Sequence, residues 1–315
     1  MQIIGTGNHK GGTGKTTTAI HLAAALGERG RKVLLIETDG NLGLTKSFDV
    51  PGVVPGTYHV LMQDQEIDDV ILTPEAEQER AQQTGFIELP KNVHLIPGNR
   101  QLENIDEDLK AGPKTKYIAP FDSLTPPLER LREQGFYDYV ILDTAPAAGT
   151  LTIAAYKTAD WFILTTTPET LSIEALERSI DDIIEAQHVN PNLQVLGVHM
   201  CQIDVRRKLE RAYLEKIRKD LTSEEGLGLF EAIMPIRAVF GRASALKVSL
   251  FDYDPEAAEV KTVNDLRDLY RQLAREVEER IIRSKSDEAV ELGVDTDQRP
   301  LTDPVMESEE DVAHG

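Results

Sequence analysis

A single cysteine, Cys201, stands among 315 residues, so one chain can build neither a disulfide framework, nor a thiolate zinc site, nor an iron-sulfur cluster. Its expected role is that of a small buried hydrophobe. Long apolar runs are missing too: no stretch of about 18 such residues occurs, and no apolar leader precedes the first strand. The chain is therefore read as cytoplasmic, without an export signal or a membrane span. Positive charge is scarce, with 34 Lys and Arg against 54 Asp and Glu and a net charge of -20. A field of that sign repels nucleic acid and anionic lipid at long range, so any polyanion contact must come from local basic clusters.

What is present is a regular alternation. With 40% apolar residues, the chain can bury one large core. Met1 to Gly7 reads as a strand running into a glycine loop, and Thr16 to Arg29 as a helix with Ala19, Leu22, Ala23 and Leu26 on one face. Lys32 to Ile36, Val93 to Ile96, Tyr139 to Leu142, Trp161 to Thr165 and Val195 to Met200 are uninterrupted apolar runs, the pattern of strands covered on both faces. Helical segments lie between and after them, at Pro126–Gln134, Ser172–Gln187 and Lys208–Leu221. The alternation predicts an α/β fold: a doubly wound, mostly parallel sheet with helices on both faces, with ligands at the carboxyl ends of the strands. Residues 51–120 loosen into Gly, Pro, Gln and Glu, predicting loops and short helices over one sheet edge. Thr262 to Arg283 predicts a long amphipathic helix. The expected organisation is one domain over 1–283 and an acidic, disordered tail over 284–315.

The chemistry starts at Lys10 to Thr18, KGGTGKTTT. Phosphate oxygens need several convergent backbone N–H donors, which a glycine-rich turn opening a helix supplies. Gly11, Gly12, Thr13 and Gly14 form that turn, Lys15 can reach the phosphates, and Thr16 can offer its hydroxyl to Mg2+, with Thr17 next to it. Two strands then deliver carboxylates to the same edge. Lys32 to Ile36 ends in Glu37-Thr38-Asp39, and Tyr139 to Leu142 ends in Asp143, a carboxylate that can hold Mg2+ through its water shell. Solvated strand-end acids, or a helix cap at Asp143, are the alternatives.

His9 stands where the common phosphate-loop pattern has its first glycine, and Lys10 follows it. K-G-G-x-G-K-[ST] resembles the deviant Walker A signature of the ParA/MinD group of P-loop ATPases. That resemblance implies ATP and Mg2+ as cofactors, and an ATP-bound homodimer in which Lys10 crosses to the partner subunit's phosphates. It also implies catalytic roles for Lys10, Lys15 and Asp39, Asp39 orienting the attacking water near the metal. Glu37 replaces the group's first aspartate, and Gly40-Asn41 replaces its usual Pro-Gln.

Within the group, the lack of paired cysteines excludes the iron-sulfur members. The acidic tail argues against a membrane-bound, MinD-like division-site regulator. Tyr137-Asp138-Tyr139, Pro168-Glu169 with Leu171 to Leu176, Gly197-Val198 with Asp204 and Arg206, Met234 to Arg237, and Tyr253-Asp254-Pro255 resemble ParA/Soj partition ATPases. Without a helix-turn-helix ahead of Met1, the short, Soj-like form is expected. The resemblance implies that Asp204, Pro235 and Arg237 approach the nucleotide base. It also implies nonspecific DNA binding on the nucleoid, with a ParB-like centromere-binding partner stimulating hydrolysis. Arg206, Arg207, Lys208 and Arg211, continuing to Lys216, Arg218 and Lys219, are the best local source of phosphate contacts. The solvated face of an amphipathic helix is the other reading of that cluster. Arg237, Arg242 and Lys247 are a second candidate basic patch, with Arg237 the one that nucleotide could claim instead. A ParA-like ATPase that positions a protein cargo on the nucleoid fits the same motifs.

Overall fold

The computed structural model describes residues 1–74, 88–111, 119–146, 149–222 and 228–291. Six strands form one sheet: β1 (Gln2–Gly7), β2 (Val33–Glu37), β3 (Val93–Ile96), β4 (Tyr139–Asp143), β5 (Trp161–Thr166) and β6 (Gln194–Met200). Their order is β3-β2-β4-β1-β5-β6, and every neighbouring pair is parallel. The expected α/β sheet is present, and among the described strands it is parallel throughout. Every residue of β2, β3, β4 and β5 is buried, which is why these strands read as unbroken apolar runs.

The helices are α1 (Lys15–Glu28), α2 (Gly43–Ser47), α3 (Thr57–Leu61), α4 (Ile105–Ala111), α5 (Thr125–Gln134), α6 (Thr150–Thr158), α7 (Thr170–Ala186), α8 (Lys208–Thr222), α9 (Val239–Ala245) and α10 (Val260–Glu291). Parallel strands need crossovers, and α1 supplies the first, packing on β1, β2 and β4; α7 joins β5 to β6 and packs on both. Close contact of β1 with β5 depends on Gly5, where a Cβ would come within 2.2 Å of the Phe162 ring. Outside β3, the described residues of 51–120 form short helices and turns, as expected. They cover the β3 edge through a paired bridge, with Leu72 N–H donating to Leu95 O at 2.8 Å and Leu95 N–H to Leu72 O at 3.0 Å.

The register fixes where the chemistry lies. Thr6 of β1 and Glu37 of β2 both pair with Asp143 of β4, so three polar residues meet at the carboxyl edge of the central strands. Contacts divide the chain into a compact unit, Met1–Val277, and a second unit, Glu278–Gly315. In the second unit the described residues continue α10 to Glu291, whereas the loss of apolar periodicity predicted a helix end at Arg283. Ser, Lys, Glu and Ala extend a helix without a core-facing stripe. The rest of the acidic tail, 292–315, lies outside the described residues.

Candidate active site

β1 delivers the chain into a loop whose shape is set by glycines: Gly12 has φ 79° and Gly14 φ 98°, the left-handed region that a β-carbon disfavours. Side chains lock the loop to the sheet. Asn8 Nδ2 donates to Thr165 O at 2.7 Å, Asn8 Oδ1 accepts from the Lys10 N–H at 2.7 Å, and the Thr13 and Thr165 hydroxyls are 2.9 Å apart. Gly14 ends the turn, and α1 begins with Lys15.

Lys15 is buried, its Nζ donating at 3.4 Å to the carbonyl oxygens of Asn8 and of Lys10. Burial lowers its pKa, against the pull of Asp143 and Asp39. Thr16 Oγ1 donates to Asp143 Oδ2 at 2.7 Å, and Thr6 Oγ1 to Asp143 Oδ1 at 3.4 Å. Asp143 is fully buried, and loss of hydration pushes its pKa up to about 7 despite the Thr16 hydrogen bond and the charge of Lys15. Asp39 lies at the same edge, its Oδ1 accepting from both the backbone and side-chain nitrogens of Asn41 at 2.9 Å. The structure thus brings Lys15, Thr16, Asp39 and Asp143 together.

Glu37 faces elsewhere. Its Oε2 accepts from the N–H groups of Leu44 at 2.7 Å and Thr45 at 3.1 Å, so it caps α2. Its Oε1 is buried without a partner. Burial first, and Asp143 second, raise its pKa well above the ordinary carboxyl range, against the backbone N–H groups of Thr45 and Leu44.

Lys10 points away from Lys15, its Nζ pairing with Glu169 and donating to Ser172 Oγ at 2.9 Å. Ser172 is fixed in turn by Thr167, hydroxyl to hydroxyl at 2.6 Å. His9 is tied to the same helix, with Nε2 donating to Asp182 at 2.5 Å and its backbone N–H to Ser179 Oγ at 3.1 Å. Glu169 and Ser172 hold Lys10, a role that sequence reasoning did not give them; the available signal was a Pro-Glu pair directly after an edge-delivering strand.

Beside Gly14 and Thr17 opens a cavity of about 180 Å³ lined by Cys201, Met234, Pro235, Ile236, Arg237, Phe240 and Tyr270, with Gln202 at its edge. Pro235 and Arg237 are therefore next to the phosphate loop. Asp204 is not among the lining residues: its carboxylate accepts from Arg206 at 2.8 Å, and its backbone N–H donates to Glu210 at 2.6 Å. The basic cluster is partly neutralised, since Arg207 pairs with Glu210 at 3.0 Å and Arg242 with Glu259. Lys247 Nζ donates to Lys46 O at 2.9 Å. Lys208, Arg211, Lys216 and Lys219 are exposed, and no ion pair to them is recorded among the described residues. No described helix is long and apolar enough to cross a membrane.

A family model described as "AAA domain" matches residues 1–195. The chain belongs to this AAA-domain family. It is similar to the sporulation initiation inhibitor protein Soj of Bacillus subtilis, at 26% identity over 84% of this chain and 96% of that protein. It is likewise similar to the chromosome partitioning protein ParA of Caulobacter vibrioides, at 28% identity over 88% of this chain and 94% of that protein. A solved structure of cobyrinic acid a,c-diamide synthase from Mycobacterium smegmatis, with bound ADP and magnesium, matches with a TM-score of 0.58 at 27% identity. That match covers 70% of this chain and 82% of the other. The ParA/Soj-type resemblance read from the motifs thus extends over most of the chain.

Proposed function

We propose that this protein is a Mg2+-dependent ATPase of the ParA/Soj type that dimerises around ATP, binds DNA nonspecifically and segregates it with a ParB-like partner. The observation that carries the reading is the division of labour between two lysines on one loop. Lys15 is buried beside Thr16, Asp39 and Asp143, whereas Lys10 is half-buried and held by Glu169 and Ser172.

The residues fit the cofactors. Thr16 Oγ1 and the Asp143 carboxylate, 2.7 Å apart, form an all-oxygen pair suited to Mg2+, which takes few protein ligands and keeps waters and phosphate oxygens. When bound, Mg2+ offsets phosphate charge. Lys15 would exchange its two carbonyl acceptors for phosphate oxygens, the stronger partners of a cation. Asp39, with one oxygen taken by Asn41, keeps the other to orient a water. Lys10 has an interchangeable anion in Glu169, so release from it would free the lysine for the partner subunit's phosphates and make turnover depend on dimerisation. The cavity at Pro235 and Arg237 would take the base.

Light scattering tests this directly. The protein should be a dimer with Mg2+ and ATP, and a monomer with ADP. Lys15→Ala should lose nucleotide binding, and Lys10→Ala should bind ATP yet stay monomeric. Wild-type ATP affinity in Lys15→Ala, or a dimer indifferent to nucleotide, would remove the reading.

A further inference from the structure

Gln202 follows β6 and has φ 56°, a left-handed conformation that a non-glycine residue seldom adopts. The side chain reaches back to the phosphate loop, with Nε2 donating to Gly12 O at 2.7 Å. That bond also fixes which end of the amide is which. A backbone carbonyl can only accept, so the group facing Gly12 has to be the NH2. What remains is one N–H donor and the Oε1 acceptor, for which no partner is recorded among the described residues.

Gln202 also lines the cavity whose other walls are Met234, Ile236, Phe240 and Tyr270. These walls are broad and apolar, suited to the faces of a planar ring. They have little with which to tell one base from another. Arg237 offers only donors, and burial pushes the Cys201 thiol up to about 12, leaving it a weak donor. Thr17 and Tyr270 each bring a single hydroxyl, so among the described lining residues the exposed amide of Gln202 is the side chain that offers an acceptor and a donor on two separate atoms side by side.

We infer that Gln202 is the residue by which this protein selects adenine. On its N7 edge adenine presents an amino group beside a ring-nitrogen acceptor, the complement of an amide edge; guanine presents two acceptors, N7 and O6, on that edge, so one faces Oε1 without a proton between them. This inference rests on the nucleotide reading above. The same side chain holds Gly12, so base and phosphate loop would be sensed by one group.

The test is equilibrium binding of Mg2+-ATP, Mg2+-GTP and Mg2+-ITP to the full chain, with no turnover required. ITP carries oxygen at the sixth ring position and lacks guanine's 2-amino group, which separates amide readout from steric exclusion. The wild type should bind ATP about tenfold or more tightly over both others, the range of one good amide–adenine pair. Gln202→Met, close in volume, and Gln202→Gly, which suits the left-handed backbone, should each lower the preference for ATP over GTP and over ITP by about that factor, on top of any loss common to all three from releasing Gly12. A purely structural clasp on Gly12 would weaken all three alike and leave the ratios unchanged. Unchanged ratios, or a wild type that binds all three equally, overturn the inference and leave the ATPase reading in place. A wild type that binds none overturns that reading too.

Discussion

His21 and His199 are buried, and loss of hydration lowers the pKa of each from 6.5 to about 4. His21 is satisfied, with Nδ1 donating to Thr17 O at 2.7 Å and Nε2 accepting from the Leu250 N–H at 3.1 Å. His199 has Thr18 Oγ1 at 3.1 Å from Nδ1 and no partner at Nε2. Both are neutral in the fold and charge readily when unfolded, so their contribution is complete above pH 6.5 and is lost as pH falls through 6.5 toward 4. At 1.36 kcal/mol per unit, each is worth up to about 3 kcal/mol over that window. Asp143 works in the opposite sense: raised from 3.8 to about 7, it favours the fold at low pH and loses that contribution as pH rises toward neutral. The urea midpoint of the nucleotide-free protein should therefore rise from pH 4 to about 6.5, where two imidazoles outweigh one carboxyl, and fall from there to about 7. His199→Leu should flatten the acid limb and Asp143→Asn the neutral one. An acid limb unchanged in His199→Leu would show that the buried imidazole is not its source.

At the scale of elements, the C-terminal end of α1 docks on the turn before β3. A Cβ on Gly27 would lie 2.1 Å from Lys91 O, and Asn92 Nδ2 donates to Gly27 O at 2.9 Å. Backbone cannot yield as a side chain can, so Gly27→Ala should cost about 1–3 kcal/mol by urea denaturation. Gly241, inside α9 with nothing within 4 Å of its Cβ position, is the control: there alanine should be neutral or stabilise by about 0.5–1 kcal/mol. A fully stable Gly27→Ala would mean that α1 does not seat as described. Both docking contacts join residues more than sixty apart in the chain, and no local pattern announces them. Strands buried on both faces were legible because burial itself writes the pattern, and Lys15, Thr16 and Asp143 were legible because strand-end chemistry is local. The Glu169–Lys10 pair and the Gln202 clasp were not, since each joins side chains that only the finished sheet brings together. Asp204, expected from the resemblance to approach the nucleotide base, accepts from Arg206, two residues away.

Over the whole molecule the net charge of -20 opposes DNA, and the ion pairs sharpen that opposition. Arg206, Arg207 and Arg242 already face carboxylates, so moving them to phosphate exchanges one anion for another and gains little. Lys208, Arg211, Lys216 and Lys219 on α8, exposed and without an ion pair among the described residues, carry no such cost. If the ATP-bound dimer binds DNA, counterion release should come from these residues. Each phosphate contact adds about -0.9 to the slope of log K against log salt. Removing Lys208 and Arg211 takes two contacts from each protomer, four from a dimer, so Lys208→Ala with Arg211→Ala should make the slope shallower by about 3 to 4. Arg206→Ala with Arg207→Ala should change it by less than about 1. Dimerisation with ATP should survive in both, as none of the four residues lies in the phosphate loop. The reverse ranking would mean that the arginines abandon Asp204 and Glu210 on DNA, and that the acidic partners gate binding rather than forbid it.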